Sequence, residues 1–142
     1  MIKPSFLKII LYLFVKYLVF FTVLAFLDNR YKNIVINNSK YADDIVINSI
    51  YYIVEVLFAV LLYIVIFFLP LYLLLKIKNI LFLLLAFLLL IIIEYFVYEA
   101  TSSYIHMDID GIINEIISFI FFFVFFGKFI VLLAKGEINN EK

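Results

Sequence analysis

The chain of 142 residues is 68% apolar and 20% aromatic, has 15% charged residues, and shows a mean hydropathy of +1.22. Soluble domains run at about 45–50% apolar and about 25% charged, so this composition excludes one and describes a small polytopic membrane protein forming a single domain. Net charge is zero, cysteine is absent and His106 is the one histidine, which excludes disulfides, thiolate metal sites and a multi-histidine centre within the chain. No metal, cofactor or nucleic-acid partner is expected; the lipid bilayer is.

A bilayer-spanning helix takes about 20 apolar residues at about 1.5 Å of rise each. Four stretches qualify, 6–27, 46–75, 80–98 and 112–133, which predicts an all-α fold of four transmembrane helices arranged as two tandem hairpins. The first stretch has too long an apolar run for a signal peptide, carries Lys16 inside it and lacks a small-x-small site before Asp28, so it is expected to stay as a helix. A loop at 28–45 leads into the second stretch, which Pro70 is expected to bend near its far end. The turn Lys76-Ile77-Lys78-Asn79 joins the second and third stretches, a loop at 99–111 joins the third and fourth, and 135–142 forms a short polar tail.

Charge is divided between the two ends of these spans. Lys3, Lys8, Lys76, Lys78, Lys128, Lys135 and Lys142 gather on the side of the termini and the short turn, opposed by Glu137 and Glu141, a net of +5. By the positive-inside rule this basic end, with both termini, is expected in the cytoplasm. The opposite, acidic end carries −5 when Glu94 and Glu115 are counted with its loops.

Sliding the sequence on itself by 66 residues places Leu27-Asp28 on Ile93-Glu94, Asp44 on Asp110 and Ile47-Asn48 on Ile113-Asn114. Each hairpin thus reads acid, loop, Asp-x-x-x-Asn, helix. An Asp and an Asn four residues apart share one helix face, and at a helix start an Asp favours the macrodipole and caps free N–H groups. Capping explains Asp44 and Asp110 well. It explains Asn48 and Asn114 less well, because an amide one turn further into hydrocarbon must find a partner. Asp44, Asn48, Glu94, Asp110 and Asn114 are therefore expected to form one outward-facing polar cluster at the acidic end.

These motifs resemble the VanZ-like family of small bacterial membrane proteins. In its first half that family has Asp-x-x-x-His-x-x-x-Tyr entering a helix, and Asp44-Ile-Val-Ile-Asn48-Ser-Ile-Tyr-Tyr52 keeps the spacing with Asn for His. In its second half an apolar run ends in Ile-Glu and is followed by a loop and Asp-x-x-x-Asn, as in Ile93-Glu94 and Asp110-Gly-Ile-Ile-Asn114. The chain departs from the pattern at Val97, at Tyr104 near the family's loop Arg, and at Ile117. The resemblance covers about residue 40 to the last span and implies a plasma-membrane protein acting at the cell envelope. No biochemical mechanism is carried over with it.

Two charges fall inside the spans. Lys16 lies twelve residues before Asp28 and Glu55 eleven after Asp44, so each stands about 16–18 Å along its helix from the acidic boundary. An unpaired charge at the bilayer middle costs about 2.5–3.5 kcal/mol on insertion scales. Lys16 and Glu55 are therefore expected to form an intramembrane ion pair. The positions 66 residues on are Phe82 and Phe121, which argues against a symmetric transporter built from the two halves. His106 reads as a solvated loop residue, and Thr101, Ser102 and Ser103 lack the spacing of a nucleophile and its base.

Two functions follow from these features. One is a VanZ-like envelope protein whose polar cluster engages the head of a lipid-linked molecule. The other is a non-enzymatic accessory or anchoring subunit of a larger membrane assembly or a homo-oligomer. An enzyme working through Glu94 and Asp110 is the weakest reading, because no catalytic constellation is complete.

Overall fold

The computed structural model describes residues 4–27, 29–101 and 107–136. Four long helices carry the chain: α1 (Phe6–Leu27), α2 (Ala42–Leu74), α3 (Ile80–Thr101) and α4 (Met107–Ala134). All four are long and apolar enough to cross a membrane, and no strand occurs among the described residues. The sequence spans reappear, with α2 starting four residues earlier than expected and α4 five. His106, Asp28 and residues 137–142 lie outside the described residues.

Local chemistry fixes the ends. The Asp44 carboxylate accepts from the backbone N–H of Tyr41 at 3.0 Å and of Lys40 at 3.1 Å, closing the start of α2. Asn79 does the same for α3, accepting from the N–H of Leu81 at 2.9 Å. Beyond α1, Asn29 adopts a left-handed backbone with φ 53°, which an asparagine tolerates better than most residues. The chain then makes a short π-helical turn at Lys32–Ile36 that the sequence reading does not anticipate; it buries Val35 and leans on α2 through Tyr31 and Ser49, 2.9 Å apart. Pro70 sits inside α2, which continues to Leu74.

The helices close into a circuit: α1 packs on α2 and α4, α3 packs on α4, and α2 touches α3 more lightly. Each turns a narrow stripe inward and leaves apolar side chains facing out, as lipid contact requires. In α1 the stripe is Ile9, Tyr12, Leu13, Lys16, Tyr17 and Phe20; in α2 it is Val60, Tyr63, Phe67 and Leu71. Aromatic rings fill the half of the core toward the basic end, where Phe87 stacks on Phe122 with centroids 3.8 Å apart and Tyr12 packs against Phe122 and Phe126.

Ring pairs set the vertical register. Tyr17 lies against Tyr63 at 4.9 Å and Phe6 against Phe68 at 4.5 Å. From that level, α1 runs ten residues to Leu27 while α2 runs twenty-one to Ala42, so α2 overshoots α1 at the acidic end by about 16 Å.

Gly111 brings α3 onto α4. A Cβ at this position would stand 2.4 Å from Cε2 of Tyr95, whereas one at Gly127 would meet nothing within 4 Å. In detergent, Gly111→Ala should lower the thermal midpoint by several degrees, because overpacking costs about 1–3 kcal/mol. Gly127→Ala should leave it unchanged or slightly raised.

Candidate functional site

α4 presents Asp110, Asn114 and Ser118 at successive helical turns, all turned inward and all at most 3% exposed. α3 faces them with Glu94 and Tyr98, one turn apart, and α1 with Lys16 and Tyr17. The result is a polar ladder through the half of the core toward the acidic end, spanning about 12 Å from Asp110 to Ser118.

At its lower rung Oε1 of Glu94 accepts from Lys16 Nζ and from the Tyr17 hydroxyl. Oε2 of Glu94 lies 3.0 Å from Ser118 Oγ. Ser118 also stands 2.7 Å from the carbonyl oxygen of Asn114, so its single proton has two acceptors to choose between. Tyr12 closes the bottom, its hydroxyl 3.4 Å from the carbonyl oxygen of Ser118. At the upper rung Oδ2 of Asp110 accepts from Arg30 Nη2 at 2.5 Å and from the Tyr98 hydroxyl at 3.1 Å, and Arg30 also reaches the Tyr98 hydroxyl at 2.8 Å. Between the rungs sits Asn114, wholly buried, with neither its Nδ2 nor its Oδ1 in reach of a hydrogen-bond partner among the described residues.

Three of the five expected cluster residues, Glu94, Asp110 and Asn114, thus meet in one interior. Asp44 and Asn48 do not join them. Asp44 caps its own helix, and the Asn48 amide donates to Ser39 Oγ at 2.9 Å, bracing the loop against the overshooting start of α2. The 66-residue correspondence relates the two Asp-x-x-x-Asn motifs in sequence, but only the second has helices on every side to bury it.

The expected Lys16–Glu55 pair does not form. Lys16 meets Glu94, and Glu55 is exposed on α2. Depth was misjudged because α2 starts well beyond α1: Glu55 lies eight residues, about 12 Å, above Tyr63 and hence above the level of Lys16. Facing also forbids it, since five residues at about 100° each carry Glu55 some 140° round the helix from buried Val60.

Sequence reasoning missed Arg30, Tyr17, Tyr98 and Ser118. Ser118 was accessible to it, lying four residues beyond Asn114 on the face already marked by Asp110. The ladder as built is charge-balanced, two cations against two carboxylates, rather than acidic. Among the described residues no group of three or more His, Cys, Asp or Glu is placed to hold a metal. Comparison with family models, with curated proteins and with solved structures gives no match for this chain.

Removing one member of a buried pair leaves the other charge uncompensated, which costs about 3–5 kcal/mol. Glu94→Gln should therefore strongly lower the thermal midpoint in detergent, and Lys16→Met combined with Glu94→Met should recover much of the loss. Glu55→Gln should shift it by no more than about 0.5 kcal/mol, as an exposed substitution does.

Proposed function

We propose that the chain is a VanZ-like protein of the bacterial plasma membrane, both termini cytoplasmic, that engages the polar head of a lipid-linked envelope molecule at the acidic end of its bundle. The observation that carries this reading is the convergence of Glu94, Asp110 and Asn114, the residues of the family-like second half, on one interior ladder. Capping alone would have left each on its own helix. The chain lacks the family's loop arginine near Tyr104, yet Arg30 from the other loop supplies a guanidinium to Asp110.

The balance of charges narrows the ligand. Two cations and two carboxylates repel neither a bare anion nor a bare cation strongly, and favour a head rich in hydroxyls, amides or paired charges. At the same end, a groove of about 280 Å³ between α1 and α2 is lined chiefly by apolar side chains, among them Leu18, Phe21, Phe26, Tyr52 and Val56. It gives a hydrocarbon tail a place in the plane of the bilayer.

The accessory-subunit reading has an observation of its own. Where α2 overshoots α1, Val46, Ile47, Ile50 and Tyr51 are all more than half exposed, an apolar surface suited to another membrane subunit.

Orientation is testable directly because the chain has no cysteine. In intact cells, Lys40→Cys should react with a membrane-impermeant maleimide and Lys78→Cys only after permeabilisation; the reverse pattern overturns the assigned topology. For the ligand, the probe is a short-chain polyprenyl-linked amino sugar in nanodiscs. Asp110→Asn should weaken its retention about tenfold, the scale of one lost charge-assisted hydrogen bond, while Asp44→Asn leaves it unchanged. Equal retention by both variants, with the protein migrating in a larger complex on native gels, would sink the envelope-ligand reading in favour of the accessory one.

A further inference from the structure

We propose that the interior of the bundle is hydrated from the acidic end down to the Lys16–Glu94 pair and dry below it, so that this pair exchanges protons with one side of the membrane only. This goes beyond ligand binding and does not rest on it.

Two independent observations point to water. The first is Asn114. Its side chain offers two N–H donors and a carbonyl acceptor, is 0% exposed, and finds no partner among the described residues. An amide abandoned in this way is costly, and natural cores satisfy such groups through ordered water when polar partners surround them. Here they do. Asp110 and Ser118 stand one turn above and below it on the same face, polar partners for a bridging water.

The second observation is Lys16. An ammonium has three N–H donors, and Lys16 meets Oε1 of Glu94 and, 4.4 Å away, the ring of Tyr17. Among the described residues its remaining donors find no acceptor, in a span where ionisable side chains characteristically pair or line water.

The two ends of the path differ. At the top, the Arg30 side chain is 11% exposed and bonds Asp110 and Tyr98, a polar mouth. At the bottom, Phe87, Phe122 and Phe126 close ring on ring; among the described residues no hydrogen-bonded side chain continues the ladder past Tyr12, and Lys8 meets the Phe126 ring from the exposed basic side. The charged and titratable groups that meet the path are Lys16, Tyr17 and Tyr12 from α1, Tyr63 from α2, Glu94 and Tyr98 from α3, Asp110 from α4, and Arg30. Exchange moves one proton each way. A hydronium arriving along the water file gives its proton to Ser118 Oγ and becomes water while Ser118 passes its own proton to Oε2 of Glu94, and the reverse step restores the hydronium and the carboxylate.

X-ray radiolysis of the intact chain in nanodiscs tests this, because the hydroxyl radicals arise from water and oxidise the side chains beside it. Tyr12, Tyr17 and Tyr98 are of one residue type and all at most 3% exposed, so burial from bulk solvent predicts equal rates. With a water file held in the ladder, Tyr17 and Tyr98 should oxidise about tenfold faster than Tyr12. Asn114→Leu should bring Tyr17 down to the rate of Tyr12 while Tyr98, nearer the mouth, keeps its rate. Tyr17 no faster than Tyr12 in the unaltered chain overturns the proposal, and that comparison stands even if the variant does not fold. A Tyr17 rate unmoved in folded Asn114→Leu overturns the role given to Asn114.

Discussion

A lysine and a glutamate near the middle of a bilayer leave the chain little freedom. Each charge, unpaired in hydrocarbon, costs several kcal/mol, so both must turn away from lipid and toward each other. Once Lys16 faces Glu94, the rotation of α1 about its axis is set: Ile9, Tyr12, Leu13, Tyr17 and Phe20 come inward with it, and Leu11 and Phe14 go to lipid. The rotation of α3 is set in the same way, bringing Leu83, Phe87, Ile91 and Tyr98 into the core. The hydrophobic effect cannot make this choice, because in a membrane both faces of such a helix are equally content in apolar surroundings. The ion pair is what distinguishes inside from outside.

α4 serves as the spine of the polar interior. Its three inward polar residues recur every four positions, which keeps them on one face over two turns, and Gly111 lets the Tyr95 ring lie directly on its backbone. Close approach there allows Tyr98, one turn on from Glu94, to reach Asp110 from α3. The basic-end half of the same helix changes character to buried Phe122, Phe126 and Phe129, the first two interlocking with Tyr12 and Phe87. One helix therefore builds a polar half-core and an aromatic half-core, and the boundary between them falls at Ser118.

The number and hairpin order of the helices were legible, and their limits to within five residues, because apolar runs long enough to span a bilayer are a one-dimensional signal. Glu94 and Asn114 were legible as well, since an acid or an amide within such a run stands out, and Asp110 was legible through its four-residue spacing to Asn114. What the sequence hid was azimuth and relative height. Helices apolar on every side show almost no periodic contrast, so nothing on α2 marked Glu55 as outward-facing except its angle to Val60. Depth counted from each helix's own first residue assumed that helices start level, and α2 does not. Asp44 and Asn48 failed for the same reason: they belong to turns that project past the other helices, where a capping bond and a serine are the partners within reach. Arg30 was hidden differently, by an irregular loop and a left-handed Asn29 whose course no spacing rule gives.

Both acid–base pairs join the two halves of the chain. Lys16 and Arg30 come from the first hairpin and its loop, Glu94 and Asp110 from the second. Neither hairpin alone can hide its charges, so each is incomplete in lipid until the other arrives, and their association is driven by electrostatics and packing rather than by removal of apolar surface from water. Much of the ladder is thereby committed to holding the molecule together, and any ligand or water it takes must leave those pairs intact. Asn114 differs. It lies between the two pairs, bonds to neither among the described residues, and has the capacity for several hydrogen bonds. The pairs that join the halves make no use of this amide, which makes it the group on the ladder whose presence those pairs do not explain.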